Sequence, residues 1–310
     1  MDFNLERFVF ERVLNEDLTT QAVTLLGSLK PNNDSDSDGL GVPAIVRIER
    51  TALPTFSSGL ISTTSLIGST DIYSWMFGWL SPSQDRPDVK INVICPATDV
   101  HIRKYSKQQT HIMRETPTLY ERIVRPYIDA FPASRTQWID EVISGRSEGE
   151  KILFRSPDSD PFGFLILPDM KWDLTSTASL YLVALMLLPD IKCLRDLTCL
   201  HLPLLRSIRR EATNAVKTRW GLEATELRLF VHYQPSYYHF HVHIVNANHT
   251  GLVGMTVGHA HMLDDIISLL ELDEPNGPSI FQRMTLSYDL GEQHGLFAPM
   301  KAAQVDYAEA

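Results

Sequence analysis

Histidine stands at every second position of the stretch YHFHVHIV, residues 238–245, as His239, His241 and His243, with Phe240, Val242 and Ile244 between and after them. In a strand, successive side chains point to opposite faces, so positions i, i+2 and i+4 share one. The three imidazoles then line one face and the apolar residues the other, an alternation that predicts a half-buried strand. The preceding run ELRLFVHYQ is also strand-like, and its His232 comes just ahead of the turn signal QPSYYH. Two adjacent strands would therefore bring a fourth imidazole close.

Three uses of such a face are open at this point. One is structural, although several buried imidazoles in register each require a hydrogen-bond partner. A second is a zinc ion, since two or three strand histidines suit a site with one open coordination position. The third is phosphorus chemistry, with one histidine as nucleophile while the others hold phosphate oxygens and protonate the leaving group. Imidazole serves all three tasks because it titrates near neutrality.

The chain has 310 residues, enough to bury a sizeable core and to form two domains. A formal charge of −10 and a pI near 5.5 argue against a general polyanion binder, which carries a basic face or stripe. A small anionic ligand in a local basic pocket stays compatible. The start, MDFNLERFVFERVL, has acidic residues and no apolar run of the signal-peptide kind, so secretion is not expected. LYLVALMLL is too short to span a bilayer and is read as a buried helix, so no membrane partner is expected. Cys95, Cys193 and Cys199 are odd in number and lack metal or redox spacing, as in a reducing compartment.

Along the chain, residues 1–30 alternate charged and apolar clusters, and PNNDSDSDGLG reads as a polar surface loop. AIVRIER and VKINVICPA are strand-like, so the first section is mostly β with a helix or two. TDVHIRKYSKQQTHIMRET is charged and free of Gly and Pro, predicting a connecting helix or hinge. The boundaries expected are an N-terminal domain over 1–103, a hinge over 104–116 and a C-terminal domain over 117–310. Helices are predicted at LYERIVRPYIDAF, at SRTQWIDEVISG with Ser134 as N-cap and Gly145 as stop, around 176–188, and from about Thr198 to Trp220. The last of these carries Leu204, Leu205, Ile208, Ala212, Ala215 and Val216 on one face and closes at Gly221. KILF and FGFLILP are strand-like, and a helix over HAHMLDDIISLLEL and a strand over RMTLSYDL complete an α+β domain with an antiparallel sheet.

HFHVHIV matches the histidine triad signature, and LRLFVHYQPSYYHFHVH, with INVICPAT, LPDMKW and RDLTCLHLPLLR, resembles one branch of it, the scavenger mRNA decapping enzymes. The resemblance runs in order from about TDIYSW to the C-terminus. It implies a mostly β N-terminal domain exchanged between the subunits of a homodimer and a histidine-triad α+β domain. It also implies hydrolysis of 7-methylguanosine cap dinucleotides or short capped RNA to 7-methyl-GMP and a nucleoside diphosphate, without metal or cofactor. By that resemblance His241 is the nucleophile, forming a nucleotidyl-histidine, and His239, His243 and His232 hold and protonate the phosphates.

The same resemblance assigns Trp138 and Glu148 to the cap base. An indole face attracts a cationic purine by roughly 0.5 to 2 kcal/mol, and a carboxylate accepts from two guanine N–H groups in a charge-assisted pair. Pro168, Asp169, Met170 and Lys171, in LPDMKW, contact the base edge and ribose, with Met170 on the opposite ring face. Tyr73, Lys104, Ser236 and Tyr237 match phosphate-contacting positions. Two positions depart from the pattern: His259 stands where an arginine or lysine is usual, and Thr70 where an asparagine is. Phosphate binding from the side of His259 is accordingly expected to be weaker or pH-dependent.

A cytoplasmic or nuclear setting and association with the 5′-to-3′ or 3′-to-5′ RNA decay machinery follow as expectations. Two alternatives stay open: a general histidine triad hydrolase of dinucleoside polyphosphates or nucleotide phosphoramidates, and a non-catalytic cap-binding regulator.

Overall fold

A computed structural model describes residues 5–18, 20–29, 41–51, 53, 59–82, 87–157, 159–172, 174–250, 253–274 and 276–304. The predicted loop PNNDSDSDGLG lies, except for Gly41, outside the described residues. The chain divides into two units, Met1–Lys107 and Gln108–Ala310.

The first unit is mostly β. Its strands are β1 (Phe8–Asp17), β2 (Ala22–Leu29), β3 (Val42–Arg50), β4 (Ile61–Ser69), β5 (Ser74–Leu80) and β6 (Val89–Ile94), followed by helix α1 (Asp99–Tyr105). Four strands form an antiparallel sheet in the order β1-β2-β3-β6, while β4 and β5, among the described residues, pair only with each other. The alternating apolar residues of β1, β2 and β3 put Leu14, Leu26 and Ile45 into a small core with Ala97, against which Ile94, Ile102 and Tyr105 pack.

The charged stretch 98–116 is not one connecting helix. Helix α1 ends at Ser106, and strand β7 (Thr110–Glu115) follows in the second unit. That strand exists by pairing with β14 (Leu286–Gly291), from Thr110 opposite Gly291 to Glu115 opposite Leu286. A partner so distant in sequence leaves no local signal.

In the second unit, residues 117–129 are helical throughout, α2 (Pro117–Leu119) and α3 (Arg125–Asp129) being joined by a π-helical turn at Tyr120–Val124. Then come α4 (Gln137–Ile143), β8 (Phe154–Arg155), β9 (Phe164–Pro168), β10 (Tyr181–Met186), α5 (Leu202–Trp220), β11 (Leu227–His232), β12 (His241–Asn246), β13 (Ala260–Met262), α6 (Leu263–Glu271) and α7 (Ile280–Arg283), with α8 (Phe297–Ala303) after β14. Six strands make one antiparallel sheet in the order β13-β11-β12-β10-β9-β8. The architecture is α+β, as expected from the sequence.

Four local expectations change, the first being the cap of α4, which is Thr136 and not Ser134, the latter lying in the preceding 3-10 turn Ala133–Arg135. The run predicted as a helix around 176–188 is strand β10, buried at all six positions and paired on both sides, with β9 and β12. A strand covered on both faces has no alternation to display, so an apolar run cannot distinguish it from a buried helix. The histidine strand begins at His241, and His239 lies in the preceding turn, where Phe240 N–H donates to the Ile191 carbonyl rather than to a strand partner. The last predicted helix starts at Leu263, because Ala260–Met262 pair with β11 as β13.

Helix α5 does follow its apolar stripe: Leu204, Leu205, Ile208, Ala212 and Val216 are buried. Gly221 ends it in the left-handed region at φ 71° with its N–H on the Lys217 carbonyl, a conformation that favours glycine. That stripe belongs to the same core as Ile166, Leu182, Ala184, Val242 and Ile244 of the sheet. On the other set of alternate positions, Leu165, Leu167, Val183 and Leu185 pack with Ile139 and Val142 of α4. The histidines of β12 belong to that second face.

Candidate active site

Register places the imidazoles. His243 lies opposite Phe230 of β11 and Val183 of β10, and His241 lies opposite Leu185. His232, the last residue of β11, therefore comes onto the same face. The ring centroids of His241 and His243 are 4.9 Å apart, those of His232 and His243 4.2 Å, and those of His232 and His259 4.6 Å. Four imidazoles thus form a continuous row, with His239 outside it.

Each ring of the row has one nitrogen committed. His241 Nδ1 donates to the His239 carbonyl at 2.7 Å, His232 Nε2 to the Gly254 carbonyl at 2.7 Å, and His259 Nδ1 meets Asp289 Oδ1 at 3.0 Å. A carbonyl only accepts, so Nδ1 of His241 and Nε2 of His232 carry the hydrogen when the rings are neutral. Gly254 is glycine for a steric reason: a Cβ there would stand 2.9 Å from His232 Nε2. The His239 ring turns away to donate from Nε2 to the Met186 carbonyl at 2.8 Å. Its own backbone carbonyl is what sets His241.

Burial makes the rings of His232, His239, His241 and His243 neutral. It pulls His241 down to about 4 and His232 to about 3, pushes His243 well below its ordinary value and lowers His239 as well. A neutral His241 with hydrogen on Nδ1 presents its lone pair at Nε2. Asp289 goes the other way, its carboxyl held low first by the hydrogen bond from His259.

His243 Nδ1 is 3.2 Å from the Tyr181 hydroxyl, which in turn receives Lys171 Nζ at 3.2 Å. The Tyr237 ring lies nearly parallel to His241, 4.3 Å away at 20°, and meets the edge of Trp138 at 5.3 Å and 89°. Helix α4 explains the last contact: Ile139 and Val142 bury its inner side against the sheet, leaving the neighbouring Trp138 42% exposed beside Tyr237.

The sequence-predicted residues therefore divide. His232, His241, His243, His259, Tyr237 and Trp138 form one connected group, and Lys171 joins it through Tyr181. Pro168 ends β9, and Asp169 Oδ1 accepts from the Lys171 backbone N–H at 2.9 Å, setting the turn that carries Met170, 89% exposed. Glu148 is exposed in a left-handed turn after α4, its carboxylate 3.8 Å from Lys151 Nζ. Ser236 is exposed in the turn before the histidine strand. Tyr73 and Lys104 belong to the first unit, Tyr73 exposed between β4 and β5 and Lys104 with its Nζ 5.6 Å from the Tyr105 ring centroid.

Sequence reasoning missed Tyr181, Asp289 and Gly254. An Asp within the strand-like LSYDL was a usable signal, because strands are depleted in Asp, whereas Tyr181 was submerged in an apolar run. It missed as well a buried polar knot beside the site. Glu115 accepts from Arg195 Nε at 2.9 Å, the Tyr233 hydroxyl at 2.7 Å, Gln234 Nε2 at 3.1 Å and the Tyr288 hydroxyl at 2.7 Å. Tyr233 and Gln234 follow His232 directly, so this knot anchors the turn leading into the histidine strand.

One group among the described residues has the geometry to surround a metal ion: His232, His241 and His243, with a ligand nitrogen from each within 4.8 Å of the others. The commitments at His232 Nε2 and His241 Nδ1 leave one lone-pair nitrogen on each of those rings, able to ligate a metal or, at His241, to attack phosphorus.

Comparison with known proteins resolves the class. Residues 3–108 match the family model described as scavenger mRNA decapping enzyme (DcpS) N-terminal, and residues 137–258 match scavenger mRNA decapping enzyme C-term binding. The m7GpppX diphosphatase of Schizosaccharomyces pombe is 33% identical over 304 residues, covering 96% of this chain and 95% of that protein. Those of Bos taurus and Homo sapiens are 36% and 34% identical over 301 residues, covering 96% of this chain and 86% of theirs. The chain belongs to the scavenger mRNA decapping enzyme family.

Proposed function

We propose that this protein hydrolyses the triphosphate bridge of 7-methylguanosine cap dinucleotides and short capped RNA fragments, releasing 7-methyl-GMP and a nucleoside diphosphate. The observation that carries the mechanism is the 2.7 Å bond from His241 Nδ1 to the His239 carbonyl. It leaves Nε2 as the lone-pair nitrogen of a neutral ring, the state an imidazole nucleophile requires.

In the first step His241 Nε2 forms a bond to the phosphorus attached to the methylated nucleoside, the P–O bond to the bridging oxygen breaks, and the nucleoside diphosphate leaves. Water then attacks the phosphoramidate, returning the imidazole and releasing 7-methyl-GMP. A nucleoside diphosphate is a stable anion, so the site has mainly to stabilise charge spread over the phosphate oxygens. His243 supplies a donor beside the nucleophile, with Ser236, Tyr237 and His259 along the phosphate chain, while His232, its hydrogen held by the Gly254 carbonyl, packs against the His243 ring. His239 acts through its backbone carbonyl. Trp138 takes one face of the methylated base, Glu148 its N–H edge, and Pro168, Asp169, Met170 and Lys171 the remaining edge, opposite face and ribose. Tyr73 and Lys104 keep the phosphate assignment that the family resemblance gives them.

The working protein is a homodimer with exchanged N-terminal segments, a reading supported by the bare apolar surface of the β4–β5 hairpin. A cytoplasmic or nuclear location and association with RNA decay machinery suit a substrate left over from messenger decay.

The test is incubation of chelator-treated protein with a methylated cap dinucleotide, its unmethylated counterpart and diadenosine triphosphate, with products identified by mass. Methyl-GMP from the first substrate alone supports the proposal. Preference for the adenosine compound would make the protein a general histidine triad hydrolase, and turnover only on adding zinc would return the three histidines to metal chemistry. His241→Asn is expected to abolish turnover while retaining cap affinity. Unchanged biological function in that variant would favour a cap-binding regulator.

A further inference from the structure

The buried Tyr181 lies between a residue assigned to the ribose and a residue assigned to the phosphates, and the polarity of its two hydrogen bonds can be deduced. Lys171 Nζ, 3.2 Å from the hydroxyl, can only donate, so the Tyr181 oxygen accepts there. Burial raises Tyr181 above its ordinary range, so the hydroxyl keeps its hydrogen. That hydrogen has His243 Nδ1 in front of it at 3.2 Å. The opposite arrangement, with His243 Nδ1 as donor, would leave the tyrosine hydrogen without an acceptor in a buried setting. Nδ1 is therefore the lone-pair nitrogen of the neutral ring, and its hydrogen sits on Nε2.

His243 Nε2 is buried and has no hydrogen-bond partner among the described residues. A buried donor left unmatched is destabilising unless a ligand completes it. The neighbouring rings differ: His241 and His232 have their hydrogens fixed by backbone carbonyls, which no side-chain change alters. His243 alone in that trio is set by a side chain.

We infer that Tyr181 is a positioning residue: through the chain Lys171 Nζ–H to Tyr181 O–H to His243 Nδ1, it holds His243 in the Nε2–H tautomer and presents that donor to the phosphate beside His241. Tyr181 acts through His243. This rests on the reading of the site as a cap hydrolase, in which His243 meets the phosphate chain.

The test is Tyr181→Phe, which keeps the ring and removes only the hydroxyl. The variant should lose about tenfold to a hundredfold in kcat on a methylated cap dinucleotide, below the roughly 10²–10³ of removing an oxyanion donor outright, with KM within about threefold. In a His243→Gln background, where the amide donor needs no tautomer, the same substitution should change kcat by less than about twofold, as coupled residues are non-additive. Equal losses in both backgrounds would overturn the inference. Independently of turnover, long-range proton–nitrogen spectra of the full chain labelled with 15N-histidine should show His243 as Nε2–H, and as a mixture of tautomers in Tyr181→Phe; the His243 signals are those missing from His243→Gln. A parent ring found as Nδ1–H would refute the inference whatever the substrate. No cap turnover by a parent with the expected spectrum would instead refute the functional reading.

Discussion

A nucleophilic imidazole has to be neutral, oriented and stripped of competing partners, and His241 meets each condition through a different neighbour. The His239 carbonyl fixes the hydrogen on Nδ1, the Tyr237 ring 4.3 Å away fixes the plane, and burial removes the charge. The same burial has a consequence for stability. Folded His232 and His241 titrate at about 3 and about 4, against an ordinary 6.5. Between those values and 6.5 the unfolded chain binds more protons than the folded one, so stability is complete above 6.5 and is lost as pH falls towards 4. Each such histidine contributes up to about 1.4 kcal/mol per pH unit in that window. The midpoint of thermal unfolding is therefore expected to drop steeply from pH 6.5 to pH 5, and His232→Gln should flatten the slope. A parent midpoint constant over that interval would show that these rings are protonated in the fold.

At the scale of elements, the second unit depends on a strand that cannot be found locally. β7 is held by its ladder to β14 and, at its last residue, by the Glu115–Arg195 ion pair at 2.8 Å, both side chains fully buried. Arg195 also donates to the carbonyls of Phe281 and Met284, so one guanidinium joins β7, the segment before α5 and the end of α7. Removing one member of such a pair leaves the other charge buried and uncompensated, typically at about 3 to 5 kcal/mol. Glu115→Ala is expected to reduce unfolding free energy by that order in denaturant titration, and a loss below about 1 kcal/mol would mean the knot is dispensable. Its effect on the site should be indirect, through the turn at Tyr233 and Gln234. These elements also mark what the sequence could express. The histidine alternation, the stripe of α5 and its stop at Gly221 were all legible, because each is a period or a backbone need written in adjacent residues. β10 mimics a helix in the sequence since a strand buried on both faces has no period, and the knot leaves no trace there since Glu115, Arg195 and Tyr288 meet only through the tertiary fold. Within the site, His232, His241 and His243 were legible from motif and spacing. Tyr181 is not legible, because it sits in an apolar run and its role exists only through register, whereas Asp289 leaves a signal as an Asp within a strand-like run.

At the scale of the whole molecule, the first unit leaves the β4–β5 hairpin with no other strand beside it among the described residues. Leu66, Ile67, Trp75, Met76, Phe77 and Trp79 are all about half exposed or more, spread over both faces of the two strands. A lone two-stranded hairpin is marginally stable in water, and a contiguous apolar surface of this kind marks an interaction site. The acidic balance of the chain makes a nucleic-acid cover implausible on charge grounds, which leaves a protein surface of matching apolar character. The homodimer with exchanged N-terminal segments proposed above would supply one from a second copy of the same chain. Light scattering after size exclusion is expected to give twice the 35.1 kDa chain mass. Trp75→Asp with Phe77→Asp should convert it to the monomer without disturbing the histidine row, which belongs to the other unit. A parent that runs as a monomer at micromolar concentration would remove the dimer from the proposal and leave the chemistry of His241 standing.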